Sequence, residues 1–255
     1  MKVVLLAGGL GSRLSEETHL RPKPMVEIGG HPILWHIMMG YSRWGFDDFI
    51  VCLGYKGHVI KDYFADFLLH RSDITLDLAS GGVTRVASEA VPPWRVTLVD
   101  TGTETMTGGR LKRIAHLLAR DEPFCMSYGD GVSDVKVADL VAFHRQMGLE
   151  ATVTAVRPPG RYGATTIEDG RVVKFEEKPT QGWVSGGFFV LEPSVLDRIE
   201  GDDSIWEAGP LTSLAEDGQL AAYQHQGFWQ PVDTLRDKVQ LEALWAGGSP
   251  PWKSW

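Results

Sequence analysis

The amino-acid sequence predicts a doubly wound α/β fold built on a mostly parallel sheet, and three observations carry that expectation. In the first 156 residues, apolar runs of strand length alternate with stretches of helical periodicity, the pattern of βαβ units. After about residue 157 the texture turns to Pro, Gly and hairpin signals, which predicts a smaller mixed or antiparallel part. The chain has 255 residues, 43% of them hydrophobic and 23% charged. That size buries roughly three quarters of the unfolded surface without disulfide staples.

The elements follow in order. KVVLLA (2 to 7) reads as the first strand, and Ile33, Leu34, Ile37, Met38, Tyr41 and Trp44 fall at helical spacing. DFIVCL (48 to 53) is a second strand and Val59 to Leu69 a second helix. Further strands are expected at ITLDL (74 to 78), RVTLVD (95 to 100), PFCMSYG (123 to 129) and ATVTAV (151 to 156), with helices at 109 to 120 and 134 to 147. PPGRYG then makes a turn, and GATTIEDGRVVKF reads as a hairpin about Asp169 and Gly170, an Asp-Gly pair suited to a two-residue loop. SGGFFVL (185 to 191) is a buried strand, and helices are expected at 207 to 218 and 233 to 246, the latter with Asp233 as its N-cap. No internal repeat or low-complexity tract interrupts this, so 1 to 255 reads as one domain with halves at about 1 to 156 and 157 to 255.

Composition narrows the function. Twenty-five Lys and Arg against 33 Asp and Glu give a formal charge of -8, no electrostatic footprint for nucleic acid or an anionic membrane. A small anionic ligand needs locally placed cations. No run approaches the roughly 18 apolar residues of a membrane span, and MKVVLLAGG is shorter than a signal-peptide core, so a cytoplasmic protein is expected. Cys52 and Cys125 sit in apolar runs, as reduced, packed thiols do. The eight His show no HExxH spacing and no serine lies in a GxSxG elbow.

Chemistry is sought beyond the carboxyl ends of the strands, where such sheets bind ligands. Gly8, Gly9 and Gly11 follow the first strand in AGGLGSRL, exposing backbone N–H groups to a phosphate or merely making a tight turn. The segment is neither the dinucleotide fingerprint nor a P-loop; Arg13 favours the phosphate reading, since a guanidinium grips two oxygens at once. Lys23 lies between prolines in RPKPMVEIGG, presented from a stiff loop or simply solvated. Asp130, in SYGDGVSD, is a carboxylate at a strand end that suits Mg²⁺, or an Asx turn. Asp233, in FWQPVDTLRDK, is a second such acid or a helix cap. Lys178, in FEEKPTQG, is a second anion-binding cation, with Glu177 as a hydroxyl acceptor, or the two belong to a solvated edge.

AGGLGSRL, RPKPMVEIGG, YGDG, FEEKP and WQPVDT, in this order, resemble the sugar-1-phosphate nucleotidyltransferases. KPMVEIGGHPILWHIM, GYKGHVIKDYF, VTLVDTG, MTGGRLKR, GFWQPVDTLRDKV and PPWKSW resemble their glucose-1-phosphate cytidylyltransferase branch, and the likeness spans the chain. It implies a Rossmann-like nucleotide half and a smaller sugar-binding part. It also implies that Leu6, Ala7, Gly8, Gly9, Leu10, Gly11, Ser12 and Arg13 form the triphosphate loop, with Gly129 beside the nucleotide. Lys23 would lie on the reacting phosphates, Asp130 and Asp233 on Mg²⁺, and Thr105 and Arg110 beside cytosine. Lys178, Glu177, Gly163 and Ser185 would meet the sugar phosphate. Arg13, Lys23, Asp130 and Asp233 would be the catalytic set, with CTP and glucose 1-phosphate as substrates and a homo-oligomer, a hexamer among the options, as the assembly.

Two departures stand out: GSR where the family usually has GTR, and Ser185 where relatives commonly carry Asn. Uridylyl or thymidylyl transfer is the nearest rival reading. A glycosyltransferase is expected to show an Asp-x-Asp pair where this chain has Asp130, Gly131 and Val132, and a non-catalytic sensor has no need of the five charged residues together. The closing LWAGGSPPWKSW leaves Trp252 and Trp255 on a short tail, expected to dock on its own subunit or in a subunit contact.

Overall fold

A computed structural model describes residues 1–9, 11, 19–87, 91–158, 164–168, 170–176 and 182–255. Seven strands make the central sheet: β1 (Val3–Ala7), β2 (Asp48–Leu53), β3 (Arg95–Asp100), β4 (Phe124–Tyr128), β5 (Ala151–Val156), β6 (Val184–Leu191) and β7 (Leu220–His225). Their order is β7-β5-β6-β4-β1-β2-β3. β1 pairs in parallel with β2 and β4, β2 with β3, and β5 with β7. β6 alone is antiparallel, inserted between β4 and β5. The mostly parallel sheet expected from the apolar runs is therefore present. Its antiparallel strand comes from the later half of the chain and joins the same sheet.

Alternate side chains split between two faces. Val3, Leu5, Phe49, Val51 and Cys125 pack on one, against α1 (Ile33–Ser42), α2 (Gly57–Ala65), α4 (Val137–Met147) and α6 (Leu235–Ala246). Val4, Leu6, Ile50, Cys52, Phe124 and Met126 pack on the other, beneath α3 (Thr107–Arg113) and α5 (Pro210–Glu216). Burial on both faces is why these strands read as unbroken apolar runs. It also pushes both thiols up to about 12, in keeping with two free, inert cysteines.

The helix expected at 109 to 120 is shorter: α3 ends at Arg113 and a 3-10 turn follows at Ala115–Leu117. The helix expected at 207 to 218 starts only at Pro210. The 74 to 78 strand forms as Ser72–Asp77, but it pairs with Gly82–Ala87 in a separate hairpin, leaving Leu76 and Leu78 exposed. The hairpin of Ala164–Glu168 and Arg171–Glu176 forms as expected, with Gly170 at φ 78°; Asp169 lies outside the described residues. Among these residues no helix is long and apolar enough to cross a membrane.

Asp233 does not cap α6. Thr234 does, its hydroxyl accepting from the Asp237 amide while the Asp237 carboxylate accepts from the amides of Asp233 and Thr234. This capping box satisfies the helix end and leaves the Asp233 side chain to point elsewhere.

The tail docks on its own chain. Trp252 is 1% exposed and stacks against Phe228 and Trp245, and its indole N–H donates to His36 Nδ1 at 3.3 Å. The opposite nitrogen of His36 meets the Ile28 carbonyl at 2.9 Å, so the neutral ring with hydrogen on Nε2 satisfies both contacts. Burial lowers the His36 pKa to about 4 from an ordinary 6.5. The unfolded chain therefore binds the extra proton first: this contribution is complete above pH 6.5 and is lost as pH falls through 6.5 towards 4. Chemical denaturation at pH 7 and pH 4 should show about 3 kcal/mol of His36-dependent loss, absent in His36→Gln; an identical pH slope in the variant would refute it.

Candidate functional site

The site is assembled where β1, β2, β3 and β4 end. β1 is buried throughout and delivers the chain into Gly8 at its carboxyl end. The Gly8 carbonyl accepts from the Tyr55 amide at 3.2 Å and from Arg110 Nη2 at 3.1 Å. A Cβ on Gly8 would stand 2.2 Å from Arg110 Nη1, so only glycine admits the guanidinium. Arg110, 4% exposed on α3, also donates to the carbonyls of Leu53 at 3.0 Å and Gly102 at 2.8 Å, and to the Thr101 hydroxyl at 2.7 Å. One side chain thus ties together the ends of three strands. Both of its Nη atoms are engaged by protein oxygens, which makes it a buttress of the wall that these strand ends form.

Gly8→Ala drives a methyl group into that guanidinium. Displacing it strands several buried carbonyls, so we expect a loss of about 3 kcal/mol in urea unfolding. Unchanged stability would show that Arg110 moves aside freely.

Lys23 opens a 3-10 turn, Lys23–Met25, between Pro22 and Pro24, and is 8% exposed. Its ammonium donates to Asp130 Oδ2 and to Asp233 Oδ1, both at 2.7 Å. Asp130 follows β4 after Gly129, whose amide donates to the Leu6 carbonyl at 3.0 Å. Asp233 arrives through a two-stranded ribbon in which Pro231 pairs with Gly131 and Trp229 with Ser133. The Val232 amide bonding to the Asp130 carbonyl at 2.9 Å completes the register. Burial opposes the charge on Lys23, but Asp130 and then Asp233 outweigh it and hold the ammonium's pKa above the ordinary lysine value. The cation is permanent at neutral pH.

A cavity of about 410 Å³ lies over these residues, lined by Leu6, Ala7, Gly8, Gly9, Gly11, Lys23, Thr103, Glu104, Thr105, Met106, Thr107, Arg110, Tyr128 and Asp130. A smaller one of about 50 Å³ adjoins it, with Ser185, Gly186, Gly187, Trp229, Tyr128 and Asp130 in its wall. Tyr128 and Asp130 belong to both. The structure therefore brings together Leu6, Ala7, Gly8, Gly9, Gly11, Lys23, Thr105, Arg110, Gly129, Asp130 and Asp233, with Ser185 at the smaller cavity. Leu10, Ser12, Arg13, Gly163, Glu177 and Lys178 lie outside the described residues. Tyr128, Thr107 and Trp229 were not singled out from sequence. Tyr128 is the last residue of a strand that ends in a glycine turn, the one local signal that pointed towards it.

Asp130 and Asp233 converge on a single ammonium, each with one carboxylate oxygen 2.7 Å from it. Among the described residues no group of three or more His, Cys, Asp or Glu is assembled. Two hard carboxylates without thiolate or imidazole fit Mg²⁺, which keeps waters and phosphate oxygens in its shell, and not structural zinc.

The nucleotidyl transferase family model matches residues 2–243. Glucose-1-phosphate cytidylyltransferase of Salmonella typhi is 57% identical over 257 residues, covering 100% of both chains. The mannose-1-phosphate guanylyltransferase catalytic subunit beta of Dictyostelium discoideum is 29% identical over 244 residues, 93% of this chain and 62% of that protein. Among solved structures, UDP-glucose pyrophosphorylase complexed with UDP-glucose superposes with a TM-score of 0.70 at 14% identity, over 97% of this chain and 98% of that one. At that identity the likeness speaks for the fold.

Proposed function

We propose that this chain, which belongs to the nucleotidyl transferase family, transfers the cytidylyl group of CTP to α-D-glucose 1-phosphate, giving CDP-glucose and pyrophosphate. The observation that carries base and sugar is the 57% identity, along both full lengths, with an enzyme of that name. The site supplies a chemical reason for the class. An oxygen of the sugar phosphate attacks the α-phosphorus, a new P–O bond forms, and the bond to the β-phosphate breaks. The phosphate dianion is already a nucleophile near pH 7, so no general base is needed. Catalysis then rests on holding two anions together and neutralising the charge that develops.

Lys23 supplies a cation for this neutralisation, because it stays charged and is held by two carboxylates. Asp130 and Asp233 would hold the divalent cation, Mg²⁺ in our reading, for which their donor set is suited. When bound, it neutralises and orients the triphosphate oxygens. The nucleotide occupies the larger cavity, with Gly8, Gly9 and Gly11 on its phosphates and Thr105 near its base. The sugar phosphate approaches from the side of Ser185. Arg13 on the departing pyrophosphate, and Lys178, Glu177 and Gly163 on the sugar phosphate, complete the proposal, together with a cytoplasmic homo-oligomer measurable by light scattering.

Pyrophosphate release with glucose 1-phosphate and each of CTP, UTP, dTTP, ATP and GTP tests the reading. CTP should give a kcat/KM at least about tenfold above any other, a margin of roughly 1.4 kcal/mol. Preference for UTP or dTTP overturns the base assignment, and no turnover with any of the five overturns the enzyme.

A further inference from the structure

Glu207 lies outside both cavities, yet two residues of the cavity wall are anchored to it. The Tyr128 hydroxyl donates to Glu207 Oε1, and the Thr107 hydroxyl donates to Oε2 at 2.8 Å. Thr107 opens α3, the helix that carries Arg110. Tyr128 ends β4, two residues before Asp130, and its ring is part of the wall of both cavities. One carboxylate therefore joins the nucleotide side of the site to the strand end that bears the acidic residue.

Glu207 is exposed, while the Tyr128 ring and the Thr107 hydroxyl that it ties are held from other sides as well. A Cβ on Gly187, which has φ 78°, would stand 2.6 Å from Tyr128 Cδ2, so the ring is set against backbone on one side. The Trp206 amide donates to the Thr107 hydroxyl oxygen at 2.9 Å, holding that hydroxyl so that its proton points to Glu207. Behind them the 201–207 segment grips α3: the Met106 amide bonds to the Asp202 carbonyl at 2.9 Å, and Arg113 makes a two-pronged pair with Asp202 at 2.8 and 2.6 Å. A Cβ on Gly109 would fall 2.4 Å from the Asp202 carbonyl oxygen, a measure of how closely α3 lies on the segment.

We infer that Glu207 is a positioning residue for nucleotidyl transfer, fixing the Tyr128 ring between the two cavities so that the sugar phosphate and the α-phosphorus meet in line. The inference rests on the reading of the site as a nucleotidyltransferase centre. Glu207 itself touches neither reacting group. Its effect therefore belongs in kcat, where alignment is expressed, and not in ground-state affinity.

The test is a double-mutant cycle with Glu207→Ala and Tyr128→Phe, plus Glu207→Gln, each in the full-length enzyme. Kinetics are taken with whichever nucleotide the unaltered chain turns over. That choice tests the reading of the base, and the ratio of variant to wild type tests this inference. Each single variant should lower kcat about fivefold, the loss equivalent to one hydrogen bond, with both KM values within about twofold of wild type. The double variant should lose no more than either single one. Glu207→Gln keeps an acceptor for one hydroxyl and offers an amide to the other, and should recover most of kcat. Equal loss in Glu207→Gln and Glu207→Ala would overturn the inference, because charge and not the tie would then be acting. So would additive losses in the cycle, or a lowered melting temperature with kcat unchanged.

Discussion

Lys23→Met should lower kcat/KM for CTP by at least about a thousandfold, the largest effect expected from any single substitution in this site. Methionine fills the space of the apolar stem and deletes the ammonium, so the Pro22–Pro24 turn is kept while the charge is lost. Two consequences follow from the 2.7 Å contacts to Asp130 and Asp233. The first concerns stability: removing the cation from a buried ionic cluster takes from both carboxylates their contact with it, at a cost of about 3 to 5 kcal/mol. Asp130 has 37% of its side chain exposed, so water relieves part of this and the lower end is the better estimate. The second concerns rate: a preorganised cation is worth about 10²- to 10³-fold, and here the two carboxylates left behind also repel the triphosphate. Lys23→Arg should not rescue, since a planar fork cannot replace a point donor shared by two carboxylates on a short turn. Steady-state kinetics and a thermal melt separate the two effects. A variant that melts several degrees lower yet turns over normally would remove Lys23 from the reaction and leave it a structural residue.

Much of the fold was legible because burial on both sheet faces writes itself into sequence. VVLLA and DFIVCL are apolar at every position or nearly so, and both became central parallel strands. β7 was not legible for the opposite reason: it is an edge strand in which only Ala221 is fully buried, so LAAYQH carries no apolar run. The Ser72–Asp77 strand was visible as a strand, but its apolar residues face outward in a hairpin; alternation alone does not say which sheet a strand joins. At Asp233 the sequence held two cap signals side by side. Thr234 with Asp237 three residues on is the reciprocal box, and it wins because it satisfies several amides at once, which frees Asp233 for Lys23. The charged cluster itself spans separations of 107 and 210 residues. Flanking prolines and glycines marked each member, and only their order along the chain suggested that they meet. Arg110 shows the limit: its partners are carbonyls at the ends of separate strands, and backbone oxygens leave no trace in the sequence.

Asp130→Asn should reduce turnover by at least about a hundredfold and weaken the affinity for the divalent cation, with a smaller loss of stability than Lys23→Met. Asparagine keeps the size of the side chain and can still accept from Lys23 through its carbonyl oxygen. What it loses is the negative charge, and Asp130 stands where that charge counts most: in the wall of both cavities, 2.7 Å from the ammonium and two residues beyond Tyr128, which borders both cavities. Lys23 retains Asp233 as a full ionic partner at 2.7 Å, so the buried cation is not orphaned and the fold should hold. With the leading attraction removed, burial weighs more heavily on Lys23 and its pKa should fall from its raised value towards that of an ordinary lysine. Hard-cation affinity depends on carboxylate charge, so the Mg²⁺ concentration at half-maximal rate should rise at least about tenfold. Asp233→Asn provides the comparison, because both carboxylates touch the same ammonium but only Asp130 lines the cavities: if the two acids share one cation, both variants should shift the Mg²⁺ titration in the same direction. Near-wild-type turnover of Asp130→Asn at saturating Mg²⁺, with an unshifted titration, would reduce the Lys23 cluster to an ion pair that merely closes the end of the sheet.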